Sequence, residues 1–317
     1  MTTDPRRASI PVLLVHGGAG PRGRAPGGTA DAERRSQLAL AVEAGWRELD
    51  AGAAAEAACV AAVRFLEDSP LFNAGTGSAL AVDGRVWCDA SLMTAGGLAG
   101  AVATVEGIRH PILAAQALAH AGGTPLLWAG RSEELAARHG LELLEPSRMV
   151  TERQQRRLRA QREGTSGGAG TSTPPAGTVG AVCLDAAGGL AAATSTGGYS
   201  GKLPARVGDS AILGAGTWAH RLTCAVSATG DGEAFIRAAF AHEIHARMLH
   251  AGESLAVAAD AALAAVGEAG GVGGAICVDA GGAIAMPISS EVMHRAWRRA
   301  GGRTRVAVGA EETGDEA

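Results

Sequence analysis

The chain has 317 residues, of which 47% are hydrophobic, 3% are aromatic and 47 are glycine. A chain of this length can bury a large core, which here has to be built mainly from Ala, Val and Leu. The formal net charge of -4 gives no electrostatic reason to expect a nucleic acid or an anionic membrane as a partner.

The first half of the sequence predicts strands and helices that follow one another closely. Residues 9–18, SIPVLLVHGG, indicate a buried strand that ends in a glycine turn. Apolar residues recur at helical spacing over residues 29–52 and again over residues 53–70, where a proline ends the second helix. A hairpin over residues 77–93 turns at Asp83 and Gly84, a strong hairpin signal. The other predicted elements are strands at 100–108 and 125–129 and helices at 110–123 and 132–140.

A change of composition divides the chain near its middle. A basic run is followed by a tract of Gly, Ser, Thr and Pro with no apolar face, which predicts a flexible linker at about residues 151–177. Order returns at Thr178, and hairpins grouped in sheets with helices grouped between them indicate an α+β layered fold. The elements predicted beyond the linker are a hairpin at 180–195, helices at 232–252 and 253–270, a hairpin at 274–289 and a frayed tail at 303–317.

The cysteines and the N-terminus predict the compartment. The five cysteines are odd in number, form no C-x-x-C pair and stand in apolar runs, which is typical of reduced core residues. The apolar run before His16 is about five residues long, against roughly 7–15 in the core of a signal peptide. No stretch approaches the roughly 20 apolar residues of a membrane span. We therefore expect a cytoplasmic protein with no membrane partner.

Several short motifs match functional patterns only in part. GTSGG at residues 164–168 lacks the strand and helix that a nucleophile elbow needs, and GGYSGKL at residues 197–203 has the wrong glycine spacing for a P-loop. His242 and His245 are three residues apart, whereas the H-E-x-x-H zinc motif places its histidines four apart. The basic run within residues 153–162 fits a solvated arm better than a nucleic-acid patch, because the remainder of the chain is acidic.

Thr178 stands on the border between the predicted linker and a buried strand. A hydroxyl needs a base before it can attack, and an N-terminal threonine supplies that base through its own α-amine. This chemistry requires cleavage of the peptide bond before Thr178, and a flexible linker that ends in Gly177 would leave that bond accessible. Position alone favours an ordinary first residue of a strand, for which a β-branched side chain is suited.

Six motifs, present together and in order, favour the nucleophile. The chain resembles the plant-type asparaginase/isoaspartyl peptidase family of N-terminal-nucleophile hydrolases from about Val12 to Trp297, through VHGGAG, LFNAGTGSAL, GTVGAVCLD, TSTGGYSGKLPARVGDSAILGAGTWA, CAVSATGDGEAFIR and GGAICVD. The resemblance implies a four-layer αββα sandwich and a precursor that cleaves itself between Gly177 and Thr178. Residues 1–177 would then be an α subunit and residues 178–317 a β subunit, which together form one folded domain.

The resemblance also implies roles for single residues. Thr178 matches the nucleophile, and Thr196 matches a threonine that hydrogen-bonds to it. Arg206 matches the arginine that holds the substrate's α-carboxylate, for which a forked guanidinium is suited, and Asp209 matches the acid that receives the α-ammonium. The oxyanion hole and the substrate contacts beside it match Thr229 and Gly230, with Asn73 near the same hole.

The stretch LEDSPLFNAGT resembles a loop that binds a structural sodium ion through main-chain carbonyls. No cofactor is implied for the chemistry itself, and the family resemblance implies a homodimer of cleaved units. The carbonyls that match the sodium ligands belong to Leu66, Glu67, Ser69, Phe72, Ala74 and Thr76.

The implied activity is the hydrolysis of β-aspartyl (isoaspartyl) dipeptides and of L-asparagine, with no nucleic-acid partner. A glycosylasparaginase-like amidohydrolase is the alternative, although that relative favours TSTNG over the TSTGG found here. Two alternatives come from other classes. One is a non-catalytic family member that stays uncut and acts as a binding protein, and the other is a nucleic-acid binder that uses the basic run.

Overall fold

The computed structural model describes residues 9–20, 29–122, 126–163, 177–309 and 312. Within these residues the chain forms twelve strands and eight α-helices, with short 3-10 and π turns between them. The strands are β1 (Val12–Gly20), β2 (Cys88–Thr94), β3 (Ala99–Val105), β4 (Leu127–Ala129), β5 (Val179–Leu184), β6 (Leu190–Thr196), β7 (Thr217–Ala219), β8 (Cys224–Gly230), β9 (Gly273–Asp279), β10 (Ile284–Ala285), β11 (Val292–Arg299) and β12 (Arg305–Ala307). The helices are α1 (Thr29–Asp50), α2 (Ala55–Asp68), α3 (Pro111–His120), α4 (Ser132–His139), α5 (Glu152–Arg162), α6 (Gly232–Arg237), α7 (Phe240–Ala246) and α8 (Leu255–Glu268).

Two sheets lie face to face with helices on both outer faces. The larger sheet has the order β12-β11-β1-β5-β6-β2-β3-β4, and the smaller one has the order β10-β9-β8-β7. Helices α1, α2 and α3 pack on the larger sheet, while α7 and α8 pack on the smaller. Separate apolar clusters fill the spaces between the larger sheet and its helices, between the two sheets, and between the smaller sheet and its helices. The predicted α+β class and the αββα layering are confirmed.

The strand that begins after Thr178 lies in the middle of the larger sheet. It pairs antiparallel with β1 on one side and with β6 on the other. The predicted hairpin at 180–195 is therefore confirmed as β5 and β6, and the similar hairpin at 274–289 as β9 and β10 of the smaller sheet. Strands from both sides of Thr178 alternate in the larger sheet, so the two halves of the chain share one core.

The first part of the predicted linker is folded, which corrects the prediction of a flexible segment from residue 151. Helix α5 begins after Thr151, whose side chain accepts a hydrogen bond from the Gln154 backbone N–H. The fully buried Gln154 side chain donates to the Gly77 carbonyl at 2.7 Å, and Leu158 is buried beside it. The buried Leu158 and the hydrogen bond from Gln154 anchor a helix that otherwise consists mostly of charged and polar residues. Residues 164–176, which include the GTSGG motif, lie outside the described residues.

Three other predictions differ from the structure. The helix expected at 232–252 is broken at Ala239, which adopts φ 44°, so that α7 starts anew and donates backbone N–H groups to the loop before β7. Strands β7, β8 and β11 were not predicted, because β8 is rich in small and hydroxyl residues and β11 in arginines. Within the tail expected to fray, residues 305–307 pair with β11 as β12.

All five cysteines are buried and none forms a disulfide, as predicted for core residues. Among the residues with described positions, no helix is long and apolar enough to cross a membrane.

Candidate active site

The peptide bond between Gly177 and Thr178 lies in the layer between the two sheets, at the start of β5. The Thr178 side chain is buried, with 4% of its surface exposed. Strand β1, whose pairing with β11 shifts register between His16 and Ala19, passes close to this bond. At Gly18, which has φ +107°, a Cβ atom would lie 2.8 Å from the Cα of Gly177, so only glycine allows this approach. Gly18 of VHGGAG therefore makes room for the bond.

Two hydroxyls and one carbonyl form a compact hydrogen-bonded group at this bond. The Thr178 hydroxyl donates to Thr196 Oγ1 at 3.2 Å, and the Thr196 hydroxyl donates to the Gly177 carbonyl oxygen at 3.0 Å. The Gly198 backbone N–H donates in turn to Thr196 Oγ1 at 3.0 Å. The pairing of β5 with β6 explains the contact, because Val179 faces Ser195 and so places Thr178 opposite Thr196. The structure therefore brings these two predicted residues together.

Asn73 completes the surroundings of the same carbonyl. Its side-chain Nδ2 donates to the carbonyl oxygens of Gly177 and Gly198, and its Oδ1 accepts from the Ala79 backbone N–H at 2.6 Å. The Gly177 carbonyl thus receives two donors, one from Asn73 and one from Thr196. Donors aimed at a carbonyl oxygen stabilise the negative charge that develops there when a nucleophile attacks its carbon. This geometry can activate the bond before Thr178.

Thr229 and Gly230 reach the same layer from the smaller sheet, at the end of β8. Thr229 is fully buried, and its Oγ1 accepts from the Ala19 backbone N–H at 3.2 Å. Gly230 has φ +156°, and a Cβ there would lie 2.4 Å from the Val272 carbonyl oxygen. The conformation therefore requires glycine and leaves the turn after β8 free of side-chain bulk.

Arg206 and Asp209 lie close together but are not hydrogen-bonded to each other. The Arg206 guanidinium makes two hydrogen bonds with Glu233, of 2.8 and 2.6 Å, and lies 4.7 Å from the Tyr199 ring centroid. Asp209 is buried, and its Oδ2 has no hydrogen-bond partner among the described atoms. Gly232 lies between them, because a Cβ there would be 2.7 Å from Asp209 Oδ1 and 3.0 Å from an Arg206 nitrogen. Only glycine at this position leaves room for both side chains.

Burial raises the pKa of the Asp209 carboxyl to about 7, although the nearby charge of Arg206 favours its ionised form. The group therefore changes charge near neutral pH. An unpaired buried carboxylate is unfavourable, and a cation that paired with it would bind strongly. The arrangement suits a ligand with one positive and one negative group, such as the α-ammonium and α-carboxylate of an amino acid.

Sequence reasoning missed a chain of buried hydrogen bonds that runs between the sheets below Thr178. It begins at His16, whose Nε2 lies 3.0 Å from Ser227 Oγ, and it ends at the Ser210 carbonyl beside Asp209. Burial lowers the pKa of His16 to about 3, so the ring is neutral. The only sequence signal was the hydroxyl content of β6 and β8. The side chains in order are His16, Ser227, Thr194, Thr217 and Ser91.

Two buried ionisable groups near the loop after β6 were also missed. Lys202 is fully buried and donates to the Trp87 carbonyl oxygen at 2.6 Å. Asp89 accepts from the backbone N–H groups of Thr104 and Gly208 at 2.8 and 3.2 Å. Burial raises the pKa of the Asp89 carboxyl, and the charge of Lys202 opposes that change. Together they fix both ends of the loop that carries Arg206.

The predicted sodium-binding stretch begins in the last turn of α2, with Leu66 and Glu67, and continues past Asn73 to Thr76. Several of its carbonyl oxygens converge, because a Cβ at Gly77 would lie 1.9 Å from the Phe72 oxygen and 3.0 Å from the Ser69 oxygen. The Phe72 oxygen also accepts a hydrogen bond from the Arg153 guanidinium, and the Ser69 oxygen accepts one from the Phe72 N–H. A carbonyl oxygen has two lone pairs, so the cradle fits a hard cation that takes oxygen ligands.

The side chain of Glu67, in the last turn of α2, connects this stretch to β6. Its Oε1 accepts from the Ile112 N–H at 3.0 Å and from the Ser195 hydroxyl at 2.6 Å. Burial raises the pKa of this carboxyl to about 8. Because Ser195 precedes Thr196, Glu67 couples the loop to the hydroxyl group at the bond.

The histidines of α7 take part in packing. His245 Nδ1 lies 2.7 Å from Thr223 Oγ1, and its ring stacks near those of Trp218 and His220. Within the described part of the chain, no cluster of three or more His, Cys, Asp or Glu side chains could hold a metal ion.

Comparison with known proteins adds an independent line of evidence. A family model described as asparaginase matches residues 9–308. The chain is similar to the isoaspartyl peptidases of Escherichia coli K12 and Salmonella typhimurium LT2, at 42% identity over 92% of this chain and 93% and 96% of theirs. It is also similar to the isoaspartyl peptidase/L-asparaginase of Bos taurus, at 37% identity over 89% of this chain and 91% of the relative.

Proposed function

The chain belongs to the asparaginase family, and on that premise we propose that it cleaves itself before Thr178 and then hydrolyses β-aspartyl dipeptides and L-asparagine. The observation that carries the proposal is the arrangement of donors around the Gly177–Thr178 bond. Its carbonyl accepts from Asn73 and Thr196, with the Thr178 hydroxyl alongside. The relatives named above are isoaspartyl peptidases, one of them also an L-asparaginase, which supports this substrate class.

The first reaction is self-cleavage. The Thr178 hydroxyl oxygen attacks the Gly177 carbonyl carbon, and the hydroxyl proton passes to the Thr178 nitrogen. The C–N bond breaks, which frees the Thr178 α-amine and leaves an ester between Gly177 and the Thr178 side chain. Water then hydrolyses the ester, which releases the Gly177 carboxylate and restores the Thr178 hydroxyl. Asn73 and Thr196 support the step, since their donors face the oxygen that becomes negative.

The second reaction uses the new α-amine as the base. The Thr178 hydroxyl attacks the side-chain carbonyl of the substrate while the α-amine takes its proton. Thr229 and Gly230 stabilise the oxyanion, the amine returns the proton to the leaving nitrogen, and water releases aspartate from the acyl-enzyme. Arg206 holds the α-carboxylate and Asp209 the α-ammonium. The unpartnered Asp209 oxygen supports this assignment.

Residues 1–177 and 178–317 would become two subunits that stay in one domain, which the interleaved strand order of the larger sheet supports. A sodium ion, if bound, would be held by the main-chain carbonyls after α2 and would stiffen the turn that carries Asn73. The homodimer of cleaved units and the cytoplasmic location remain predictions.

The direct test is to incubate purified wild-type protein and follow both reactions. Intact-mass measurement should resolve two fragments, with threonine as the N-terminal residue of the second. The matured protein should release aspartate from L-asparagine and from β-aspartyl-leucine. A chain that stays uncut and hydrolyses neither would favour the binding-protein alternative, and activity confined to glycosylated asparagine would favour the glycosylasparaginase alternative.

The raised pKa of Asp209 predicts a pH dependence of substrate capture. Since burial raises this pKa to about 7, the carboxyl is neutral at lower pH and cannot pair with the α-ammonium. We expect kcat/KM for L-asparagine to rise roughly tenfold per pH unit up to about 7 and then to level off. The ammonium of a bound substrate favours the ionised form of the Asp209 carboxyl. The acid limb of the kcat profile should therefore lie at lower pH than the acid limb of the kcat/KM profile. The Thr178 α-amine affects both profiles, so only a difference between them reports on Asp209. If the two acid limbs coincide, the proposed role of Asp209 is contradicted.

A further inference from the structure

A cavity of about 220 Å³ adjoins the Gly177–Thr178 bond. Asn73 and Gly177 belong to its lining, and in the uncut chain the described lining contains no carboxylate. Three arginines around one small cavity favour an anion as the occupant. The basic side chains that line it are Arg34, Arg153, Arg157 and His294.

The charges of these arginines act on one another. Burial, with added repulsion from Arg34 and Arg157, lowers the pKa of Arg153 to about 10. Burial also lowers the pKa of Arg157, and Arg34 adds to that effect. His294 is neutral at pH 7, because burial lowers its pKa to about 4. A bound anion would offset the repulsion among the guanidiniums.

Arg153 also has a donor to spare. One of its terminal nitrogens donates to the Pro70 carbonyl oxygen at 2.9 Å. Its Nε is buried and has no acceptor among the described atoms. A buried donor without a partner is unfavourable, and a ligand oxygen in the cavity could supply the missing acceptor.

The cavity lies on the leaving-group side of the proposed hydrolysis. There the α-amine of Thr178 passes its proton to the leaving nitrogen, so that nitrogen has to lie beside the Thr178 nitrogen. In the uncut chain the Thr178 nitrogen is bonded to Gly177, which lines the cavity, so the cavity adjoins the position that the α-amine takes after cleavage. Arg206 and Asp209, which we assign to the other end of the substrate, are absent from this lining.

We propose that the cavity binds the α-carboxylate of the amino acid that leaves from a β-aspartyl dipeptide. The carboxylate carbon is two bonds from the leaving nitrogen, and arginine is suited to hold it. The inference rests on the proposed function and adds a specificity to it. A dipeptide with a free C-terminal carboxylate should be a better substrate than its C-terminal amide, whereas L-asparagine, which releases ammonia, gains nothing from the cavity.

The first test compares substrates on matured wild-type protein. The value of kcat/KM should be roughly tenfold or more higher for β-aspartyl-leucine than for β-aspartyl-leucine amide. The preference should weaken as salt is added, because it is electrostatic. Equal values for the two peptides would overturn the inference but leave the proposed function intact, whereas hydrolysis of neither peptide and of no asparagine would overturn the proposed function itself.

The second test changes the cavity. Arg157→Gln and Arg34→Gln should each lower kcat/KM for the free dipeptide by roughly tenfold or more and narrow its advantage over the amide, with a much smaller change for asparagine. Arg156 is exposed and lies beside Arg157 in α5, so Arg156→Gln is the matched control. It should keep the wild-type preference for the free dipeptide over the amide. A fall of equal size for all three substrates would indicate a structural role and contradict the proposal, and Arg157→Lys should restore part of the preference.

Discussion

Thr178→Ala protein should remain a single uncut chain and should hydrolyse neither L-asparagine nor β-aspartyl dipeptides. The hydroxyl that attacks the Gly177 carbonyl is removed, and without cleavage no α-amine forms to act as the base. Loss of a nucleophile typically lowers kcat by roughly 10⁴-fold or more. Because the side chain packs at the end of a strand and its hydroxyl makes one hydrogen bond, to Thr196, the variant should still fold.

Intact mass and aspartate release would be measured on the same preparations of wild type, Thr178→Ala and Thr178→Ser. The serine variant keeps the hydroxyl and should cut slowly, so it separates loss of chemistry from loss of fold. Near-ultraviolet circular dichroism should match among the three proteins. An uncut Thr178→Ala chain that still hydrolysed asparagine would show that another residue is the nucleophile, and a cut one would show that Thr178 is not needed for cleavage.

Local patterns predicted the centre of the fold, whereas the partners of Thr178 were assigned by the family resemblance. Small and apolar residues alternate from Val179 onward, and the Asp-containing turn that follows sets the register that places Thr196 opposite Thr178. Asn73 and Thr229 were also assigned by resemblance, because they lie 105 and 51 residues from Thr178 in the chain, on another loop and in the other sheet. No periodic pattern in the sequence predicts contacts between segments so far apart in the chain.

The parts that the sequence did not reveal depend on long-range pairing of polar groups. Arg295 looks like a surface residue in a charged run, yet it is fully buried and donates to the main-chain carbonyls of Met293, Val308 and Gly309. The basic run of α5 suggested a solvated arm, but the structure turns some of its arginines toward the cavity beside Gly177. A charged local sequence predicts that these arginines are exposed. Their burial depends on hydrogen-bond acceptors that other segments of the chain supply.

Arg206→Ala should lower kcat/KM for β-aspartyl dipeptides by about a hundredfold or more, since losing one partner of a desolvated charge pair costs on the order of 2–5 kcal/mol. The change removes the cation assigned to the substrate's α-carboxylate. It also leaves the Glu233 carboxylate, which now binds this guanidinium, beside a negatively charged ligand. Self-cleavage involves no free amino acid, so intact-mass measurement should show it much less affected. Arg237→Ala, on the exposed face of α6, is the matched control and should behave as wild type.

The assignment of Arg206 and Asp209 to the charged end of the substrate also predicts that wild-type protein hydrolyses N-acetylated β-aspartyl dipeptides poorly. Acetylation removes the positive charge that would pair with Asp209, and it leaves that buried carboxyl facing a neutral amide. Since an unpaired buried charge costs several kcal/mol, the acetylated peptide should be turned over roughly a hundredfold more slowly than the free one. Both peptides would be measured with matured enzyme at pH 8, where Asp209 is ionised. Comparable turnover of the two would mean that Asp209 does not bind the α-ammonium, and the enzyme could then act inside longer chains rather than only at a free N-terminal aspartyl unit.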